Sequence, residues 1–282
     1  MNQTPIQNYN LQSTLLGGQS FGWDKVGEWF YGFTTEGAAK LKIHEDNLIW
    51  QTYPVSDNWE WLSNYLGLSR NYEKIIKLIA KDEHLIAAIE AYPGLRLLEQ
   101  PFEDTLVGFI CSSTKSIPGI RQCVRLMASR YGEKVVINDE YFNEISLFPK
   151  LERLHEISEA ELRESKVGFR AKYLKAAAEQ MVDHDLSGEI TKSGTASQAR
   201  EKLMKIPGVG DKVADCVLVY GLQFHEVTPF DIWGQRFVQK YYGLPENAKY
   251  SQMREWSESY LGEYAGWAGQ FLFEYIRNID WR

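Results

Sequence analysis

The sequence predicts an α+β protein, with a small N-terminal antiparallel β-sheet domain followed by a mainly α-helical body. Short alternating apolar segments with turn residues between them run from about residue 17 to residue 55, as in paired strands. From Trp59 onward, apolar residues recur at the three- and four-residue spacing of helices. The chain has 282 residues, 44% of them apolar and 24% charged, which is enough for one large or two modest domains.

The predicted strands are Glu28–Phe33, Ala39–Ile43 and Leu48–Gln51. The predicted helices are Tyr72–Ile79, His84–Tyr92, Phe102–Ser112, Ile117–Tyr131, Ala160–Lys166, Ala171–Val182, Ala196–Lys205, Lys212–Leu222, Ile232–Tyr242 and Gln252–Ile279. A linker at about residues 93–101, which contains Pro93-Gly94 and Pro101, divides the chain into domains 1–100 and 101–282. The final helix is a candidate for packing back onto the N-terminal domain.

Charge and targeting signals narrow the function classes. The net charge of −7 argues against a protein that coats nucleic acid through bulk charge, although a local grip on a few phosphates remains compatible with it. The polar N-terminus lacks a secretory signal, and no apolar run approaches the about 20 residues of a membrane span. We expect a cytoplasmic protein that is associated with the nucleoid in a bacterium or nuclear in a eukaryote.

The cysteines and histidines predict neither a disulfide framework nor a metal site. Cys111, Cys123 and Cys216 form no CxxC pair, and three thiolates cannot supply the four ligands of a protein-bound iron–sulfur cluster. The histidines are scattered without ligand-like spacing; they are His44, His84, His155, His184 and His225. We therefore expect no cofactor and no bound metal.

A glycine hairpin between two helices is the first candidate binding feature. Pro207 cannot continue the preceding helix, and Gly208 and Gly210, on either side of Val209, permit positive φ or a close backbone approach. Free amides at the start of the next helix then point outward, where the helix dipole favours an anion. This pattern predicts a phosphate-binding hairpin; the alternative is a plain αα-hairpin turn.

Lys212 lies in the first turn of the second helix, which is the unfavourable end for a cation by about 0.3–1 kcal/mol. The alternatives are a solvated lysine or one more phosphate contact. A nucleophilic role needs a neutral amine, and one pKa unit corresponds to about 1.4 kcal/mol. The dipole therefore lowers the pKa by less than one unit, whereas desolvation lowers it by up to about 3–5 units. We expect Lys212 in a partly dry pocket.

Asp231 follows Pro229 and precedes an apolar-periodic segment, which predicts a helix N-cap. Capping and catalysis are compatible at this position, because backbone amides fix the carboxylate and keep it ionised. Such a group can stabilise oxocarbenium character at a sugar and move protons to and from an amine. An amine and a carboxylate together are the minimum equipment for cutting a base from its sugar.

These residues resemble the helix-hairpin-helix Gly/Pro-Asp superfamily of base-excision DNA glycosylases, and within it the 8-oxoguanine DNA glycosylase branch. The hairpin pattern is Leu-x-x-Ile-Pro-Gly-Val-Gly-x-Lys-x-Ala, from Leu203 to Ala214. Further matches occur in the order of the family at Gly18-Gln19-Ser20-Phe21-x-Trp23, Phe109-Ile110-Cys111-Ser112-Ser113, Gly168-Phe169-Arg170-Ala171-Lys172-Tyr173, Ala265-Gly266-Trp267-Ala268 and Phe273.

The resemblance implies a bifunctional DNA glycosylase/AP lyase that acts on duplex DNA containing a damaged base. Lys212 would attack the sugar C1′, expel the base, form a Schiff base and nick the strand by β-elimination, with Asp231 as the catalytic carboxylate. Cys216 and Phe273 would sandwich the flipped base, and the carbonyl of Gly18 would read the protonated N7 of oxidised guanine. We expect a monomer, since a single-lesion repair enzyme gives no reason for more.

Phe169 and Arg170 are expected to enter the gap left by the extruded base and to contact the orphaned partner. The chain departs from the family at several DNA-facing positions. Thr114 and Lys115 stand where paired asparagines are usual, Gly119 replaces an arginine, and Trp233 replaces a histidine. Gly269 replaces a glutamine that reads the base, although Gln270 follows it and is included in the expected base pocket. These departures leave lesion range and opposite-base preference open.

Two other functions remain alternatives. A monofunctional alkylpurine glycosylase shares the fold and the aspartate but typically lacks a lysine at the hairpin. A non-catalytic helix-hairpin-helix DNA-binding protein has no use for an amine and a carboxylate together. The cluster-bearing endonuclease III and adenine-glycosylase branches are disfavoured, because four cysteines are not available.

Overall fold

The computed structural model describes residues 1–183 and 186–278. Its N-terminal part contains an antiparallel sheet of five strands in the order β1-β5-β4-β3-β2 within these residues. The strands are β1 Asn2–Pro5, β2 Trp23–Val26, β3 Trp29–Phe33, β4 Ala38–His44 and β5 Asn47–Tyr53, with helix α1 Leu11–Leu16 between the first two. The helical body follows, and the predicted α+β class is confirmed.

The helices after the sheet are α2 Trp59–Tyr65, α3 Tyr72–Ile79, α4 Glu83–Ala91, α5 Phe102–Ile110, α6 Ile117–Tyr131, α7 Leu151–Glu156, α8 Glu159–Leu162, α9 Ala171–Asp183, α10 Leu186–Thr191, α11 Ala196–Leu203, α12 Asp211–Gly221, α13 Ile232–Tyr241, α14 Tyr250–Tyr260 and α15 Ala265–Asn278. A small hairpin, β6 Lys134–Val136 and β7 Glu144–Ser146, interrupts them. In the described part of the chain, no helix combines the length and the apolar character needed to cross a membrane.

A large indole fixes the register at the edge of the sheet. Trp23 on β2 lies opposite Gly32 on β3, and a side chain at position 32 would collide with the indole ring. The indole is buried, and its Nε1 donates a 2.7 Å hydrogen bond to the hydroxyl of Tyr65 on α2. Burying this large apolar ring contributes to folding, and the hydrogen bond satisfies its only polar atom. The sheet is thereby attached to the first helix after it.

Strands β1, β2, β6 and β7 were not predicted. β1 is made of four mostly polar residues, so it shows none of the apolar alternation on which strand prediction depends. It is held by backbone pairing with β5 at the edge of the sheet. Strands β6 and β7 have three residues each, too few to display a period. Pairing with a neighbouring strand, rather than an intrinsic pattern, forms these elements.

Two predicted helices end early because the backbone adopts positive φ. The predicted helix Ala160–Lys166 ends at Leu162 and continues as a wider π-type turn, in which Lys166 has φ +59°. The predicted helix Gln252–Ile279 divides into α14 and α15 around Gly262, which has φ +75°. A right-handed helix cannot contain either conformation. Ile279 lies outside the described residues.

The helical core is centred on α5 and α12, which pack along each other and carry the residues of the site. Helix α15 packs against α3 and α4 near the N-terminal part of the chain. Phe271 and Trp267 on α15 are fully buried in the same apolar cluster as Leu85 on α4. The final helix therefore joins the two parts of the chain, and its buried face borders the cavity described next.

Candidate active site at the hairpin

The loop between α11 and α12 is a tight hairpin whose shape depends on one glycine. Gly208 has φ +88°, and a Cβ there would lie 2.5 Å from Cγ of Tyr173. This agrees with the prediction for Gly208. Gly210 differs, since it has φ −99° and a Cβ there would meet nothing within 4 Å. Gly210 therefore leaves the surface in front of α12 open rather than solving a steric problem.

The backbone amides in the first turn of α12 are available to bind a ligand. Gly210 is the N-cap of α12 and supplies no side-chain hydrogen bond to the first amides of the helix. These amides also lack partners within the helix and carry the positive end of its dipole. Val209 differs from the expectation, because its side chain is buried and its amide donates a 3.0 Å hydrogen bond to the carbonyl of Ile206. Val209 supports the hairpin from inside.

A cavity of about 800 Å³ opens beside the hairpin. It lies between the end of α5, the start of α12, the start of α13 and α15. Its lining brings together nine residues expected at the site, namely Gly18, Thr114, Lys115, Gly208, Gly210, Lys212, Cys216, Asp231 and Phe273. Residues from opposite ends of the sequence thus meet in one concave space, as ligand sites require.

Lys212 projects from the second residue of α12 into this cavity and is half-buried. Its Nζ donates a 3.0 Å hydrogen bond to Oγ of Ser112 and lies 4.9 Å from the ring centre of Phe109. The Ser112 hydroxyl donates its own proton to the carbonyl of Phe109 at 2.7 Å, so its lone pairs face the amine. The amine is thus held at a definite point with an aromatic ring on one side, which agrees with the predicted partly dry pocket.

Cys216 lies one turn after Lys212 on the same face of α12 and is buried. Burial raises the pKa of its thiol to about 12, and the neighbouring Lys212 opposes this rise. The thiol is therefore protonated at neutral pH and presents a polarisable, nearly apolar surface. The charge of Asp231 also raises the pKa of this thiol, so the amine of Lys212 and the carboxylate of Asp231 both lie near the same sulfur atom.

Asp231 is the N-cap of α13, as predicted. Its Oδ1 accepts hydrogen bonds from the amides of Trp233 at 3.0 Å and Gly234 at 2.9 Å. Both bonds end on Oδ1, so neither involves Oδ2. The cap fixes the carboxylate relative to α13, and the side chain lines the cavity that also contains Lys212. This arrangement can offer a negative charge to a cation that develops inside the cavity.

Gly18 and Phe273 meet at the other end of the cavity. Gly18 has φ +84°, and a Cβ there would lie 2.7 Å from Cδ1 of Ile117 and 3.0 Å from Cε1 of Phe273. Only glycine combines this conformation with so close an approach to the ring. The Arg277 guanidinium lies 5.1 Å from the ring centre of Phe273, which is within the range of a cation–π interaction. Gly18 and Arg277 thus both lie close to the aromatic wall of the cavity.

Gln270 does not line the cavity. It is 1% exposed, its Oε1 accepts a 2.7 Å hydrogen bond from the hydroxyl of Tyr220, and its Nε2 donates to the carbonyl of Gly17 at 3.2 Å. The expectation that Gln270 forms part of the base pocket is thus corrected, because both ends of its amide are used inside the protein. Gly269 lines the cavity instead, and a Cβ there would lie 2.6 Å from Cγ2 of Thr228.

Arg170 also differs from the expectation, whereas Phe169 remains available. Phe169 is 47% exposed. Arg170 is buried, and its guanidinium donates to the carbonyls of Ser113 at 2.9 Å and Val167 at 3.1 Å and to Oγ1 of Thr114 at 3.0 Å. The carbonyls of Ser113 and Val167 lie in irregular backbone and have no partners within an α-helix, so the guanidinium satisfies them. In this conformation Arg170 holds the Ser113–Thr114 segment and faces no partner base.

Lys115 contributes to the same arrangement. Its Nζ donates a 2.9 Å hydrogen bond to the carbonyl of Lys166, the residue with positive φ in the π-type turn. The loop between α5 and α6 is therefore tied to the turn that directly precedes the segment with Phe169. Thr114, in this loop, itself has φ +49°. Thr114 and Lys115, where the chain departs from the family, thus shape the side of this loop that faces the cavity.

Several residues of the cavity were not expected from the sequence. Ser112 and Phe109 contact the amine, although the segment that contains them was noted only for its resemblance. Ile232 also lies at the cavity, next to Trp233, which the sequence already places at a DNA-facing position; they are 55% and 40% exposed, so they give the rim an apolar character. Tyr250 comes from α14 and had no signal in its sequence context. The part of the chain that the structure describes contains no group of three or more potential metal ligands; His184 lies outside it.

Comparison with known proteins assigns the family. Residues 2–106 match the family described as 8-oxoguanine DNA glycosylase, N-terminal domain, and residues 107–262 match the HhH-GPD superfamily of base excision DNA repair proteins. The N-glycosylase/DNA lyase OGG1 of Arabidopsis thaliana is 31% identical, over 93% of this chain and 76% of that protein.

Two solved structures share the whole architecture. The structure of MBOgg1 in complex with a low affinity DNA ligand is similar with a TM-score of 0.90 and 30% identity, over 98% of this chain and 94% of the other. The Clostridium acetobutylicum 8-oxoguanine glycosylase/lyase, in complex with duplex DNA containing cytosine opposite 8-oxoguanine, gives a TM-score of 0.88 and 26% identity, over 98% of both chains. The chain is a member of the HhH-GPD superfamily of base excision DNA repair proteins and carries the N-terminal domain of its 8-oxoguanine DNA glycosylases.

Proposed function

We propose that this protein removes 8-oxoguanine from duplex DNA and then cuts the strand at the resulting site. The observation that carries the proposal is one cavity lined by a half-buried amine, Lys212, and a fixed carboxylate, Asp231. Membership of the family supplies the substrate class, since its relatives are N-glycosylase/DNA lyases. A cavity with both groups suits a reaction that needs a nucleophile and a stabilised cationic transition state.

In the proposed reaction, the neutral amine of Lys212 attacks C1′ of the extruded nucleotide. The N-glycosidic bond breaks, and its electron pair leaves with the base, which takes up a proton. The carboxylate of Asp231 stabilises the positive charge that develops on the sugar. The bond between C1′ and the ring oxygen then breaks; its electron pair goes to the oxygen, which takes up a proton released by the amine and becomes a hydroxyl, and a Schiff base remains between Nζ and C1′. Removal of a C2′ proton then expels the 3′ phosphate, which cuts the strand.

The surroundings of Lys212 support its role as a nucleophile. The hydrogen bond to Ser112 points the amine, and the Phe109 ring removes water from one side of it. An amine held in this way has less orientation to lose when it reacts than an exposed lysine has.

The base is proposed to lie between Cys216 and Phe273, with the carbonyl of Gly18 facing its N7 edge. A protonated thiol and an aromatic ring are suitable faces for a flat purine. The neutral state of Cys216, favoured by its burial, means that a base can contact the sulfur without meeting a full negative charge. The glycine at position 18 keeps the space in front of the ring open.

The DNA is proposed to contact the start of α12 through its phosphates and Phe169 through its base stack. The uncapped amides after Gly210 favour an anion, and an exposed aromatic ring can fill the gap left by an extruded base. The partner is duplex DNA with a damaged base, and one copy of the chain suffices for one lesion. The cytoplasmic, nucleoid or nuclear location expected from the sequence stays a prediction.

Borohydride trapping tests this function. Duplex DNA with one 8-oxoguanine is incubated with the protein and reduced, and a covalent adduct is expected with the unmodified protein and none with Lys212→Gln. Asp231→Asn should slow base release sharply while lesion DNA still binds. Lys205→Gln is the matched control, because it removes an exposed cation near the same hairpin and leaves the cavity unchanged.

The outcomes separate the alternatives. Release of the base without an adduct or a nick indicates a monofunctional glycosylase, which an alkylpurine substrate then identifies. Equal binding to lesion-free DNA, with no base released, indicates a non-catalytic DNA-binding protein. Full activity of both Lys212→Gln and Asp231→Asn contradicts the proposed roles.

A further inference from the structure

A cluster of charged side chains with a buried centre lies beside the cavity. Asp215 on α12 is fully buried, and its Oδ1 accepts a 2.7 Å hydrogen bond from Nε of Arg200 on α11. Nη2 of Arg254 on α14 lies 3.6 Å from Oδ2 of Asp215 and donates a 2.6 Å hydrogen bond to Oδ1 of Asp211. Asp211 and Asp215 lie on either side of Lys212 along α12, so their ion pairs hold this helix at the point where the amine projects from it.

Stability alone does not account for this cluster. Burial raises the pKa of Asp215, which means that keeping its charge inside the protein has a cost, and Arg200 and Arg254 oppose the rise. Buried ion pairs often contribute little net stability compared with apolar residues of similar size. Such a cluster instead fixes the relative positions of α11, α12 and α14, because its two guanidinium groups and two carboxylates connect these three helices.

Tyr250 extends the cluster to the loop that carries the carboxylate of the site. Its hydroxyl accepts a 3.1 Å hydrogen bond from the amide of Phe230. Its ring packs edge to face on Phe230 at 6.1 Å and lies 5.3 Å from the Arg254 guanidinium. Phe230 directly precedes Asp231. Tyr250 therefore contacts both the residue next to Asp231 and the arginine that is bonded to the helix of Lys212.

The amine of Lys212 and the carboxylate of Asp231 belong to different helices, so a contact between these helices is needed to set the distance between the two groups. Lys212 stands on α12, whereas Asp231 begins α13, and irregular chain from Leu222 to Phe230 separates them. The N-cap hydrogen bonds orient the Asp231 carboxylate relative to its own helix only. They do not fix its distance from the amine of Lys212. Tyr250 spans this gap, since its hydroxyl contacts the Phe230 backbone and its ring lies against the Arg254 guanidinium, which is bonded to Asp211 on α12.

We propose that Tyr250 is a positioning residue, which holds the carboxylate of Asp231 at its working distance from the amine of Lys212 by joining the Phe230 backbone to Arg254 and, through Arg254, to α12. This inference rests on the proposed function of the two groups. Neither the family pattern nor the sequence around position 250 assigns a role to this tyrosine, and the reaction as proposed above does not use it.

Tyr250→Phe tests the inference, because it removes the hydroxyl and keeps the ring. We expect the single-turnover rate of base release to fall about tenfold, since small displacements of reacting groups have effects of this order or larger. Affinity for uncleaved lesion DNA should change less than twofold. Tyr260→Phe is the matched control. The Tyr260 hydroxyl is also hydrogen-bonded, to Asp82 at 2.7 Å, but Tyr260 is not among the residues that line the cavity.

A double substitution distinguishes positioning from a general loss of stability. In an Asp231→Asn background, Tyr250→Phe should cause no further loss of rate, because a residue that acts through Asp231 has nothing left to position. A further tenfold loss in that background would overturn the inference. So would an unchanged rate for Tyr250→Phe alone, or an equal loss for Tyr260→Phe.

The failure of this inference and the failure of the proposed function give different results. If Lys212→Gln gives no adduct and Asp231→Asn releases the base slowly while Tyr250→Phe has the full rate, the reaction is as proposed and the positioning role is wrong. If Lys212→Gln and Asp231→Asn are both fully active, the function itself is wrong. All rates are measured below the melting transition of each variant, which a thermal denaturation curve gives.

Discussion

The amine of Lys212 on α12 donates a 3.0 Å hydrogen bond to the hydroxyl of Ser112, which lies just beyond the end of α5. This contact crosses between the two central helices of the body. It places the amine at a point that the helix of Lys212 alone does not determine. The first prediction follows from it.

Ser112→Ala should slow base release about tenfold, because one hydrogen bond contributes about 0.5–1.5 kcal/mol and a factor of ten corresponds to about 1.4 kcal/mol. The affinity for lesion DNA should stay within twofold, since the change affects the direction of the amine rather than the DNA surface. Single-turnover kinetics and a binding titration measure the two quantities. Ser113→Ala is the control, as that side chain is exposed. Equal rates for both variants would refute the orienting role of Ser112.

The two hairpin glycines should respond differently to alanine. Gly208→Ala introduces a Cβ at φ +88° and 2.5 Å from Tyr173, so we expect a loss of at least about 1–2 kcal/mol of unfolding free energy. Gly210→Ala places its Cβ in open space and should fold normally, but it should weaken DNA binding if phosphate contacts this surface. Urea unfolding and DNA titration separate the effects. A stable Gly208→Ala protein, or normal DNA affinity of Gly210→Ala, would contradict the respective assignment.

Phe169 and Arg170, which are neighbours in the segment expected to enter the DNA, should also respond differently to alanine. Arg170→Ala removes a buried guanidinium that satisfies several carbonyls, so it should lower the unfolding free energy by about 2–3 kcal/mol. Phe169→Ala removes an exposed ring and should leave stability nearly unchanged while weakening lesion DNA binding. The measurement is chemical denaturation paired with binding to duplexes that differ in the base opposite the lesion. If Arg170→Ala is stable and loses only opposite-base discrimination, the structural role is wrong.

Asp104 and His225 should change stability with pH in opposite directions. Burial raises the pKa of Asp104 to about 7, so the folded state binds the extra proton, and this contribution to stability is present in acid and lost as pH rises from about 4 to about 7. Burial lowers the pKa of His225 to about 4. The unfolded state therefore takes up the proton first, and the contribution of His225 is lost as pH falls from about 6.5 towards 4.

Asp104→Asn isolates the first of these contributions. The asparagine can keep a hydrogen bond from the amide of Thr35, which the carboxylate accepts at 3.1 Å, and it carries no charge. We expect the variant to gain stability relative to the unmodified protein as pH rises from 5 to 8. Urea denaturation at several pH values gives the difference. His225→Gln should show the opposite trend, and a pH-independent difference for either variant would exclude that group as the source.

How much of this protein could be predicted depends on the range of the interactions concerned. The glycine hairpin, the helix that starts at Asp211 and the N-cap at Asp231 could be predicted, because each is formed by residues adjacent in the chain. Helix and turn patterns describe a residue's own backbone, and that information is local. The short edge strands β1 and β2 could not be predicted in this way, since pairing with distant strands forms them.

The sequence by itself determined the fold class, the position of the amine in the first turn of α12 and the capping carboxylate at 231. Only the tertiary structure decided what surrounds them. The packing of α5 on α12 brings Ser112 to the amine, and the packing of α14 brings Tyr250 beneath the cavity. The same packing turns Gln270 and Arg170 inward, where buried carbonyls and a hydroxyl require them. A side chain's partners depend on which distant elements share its space, and no local pattern records that.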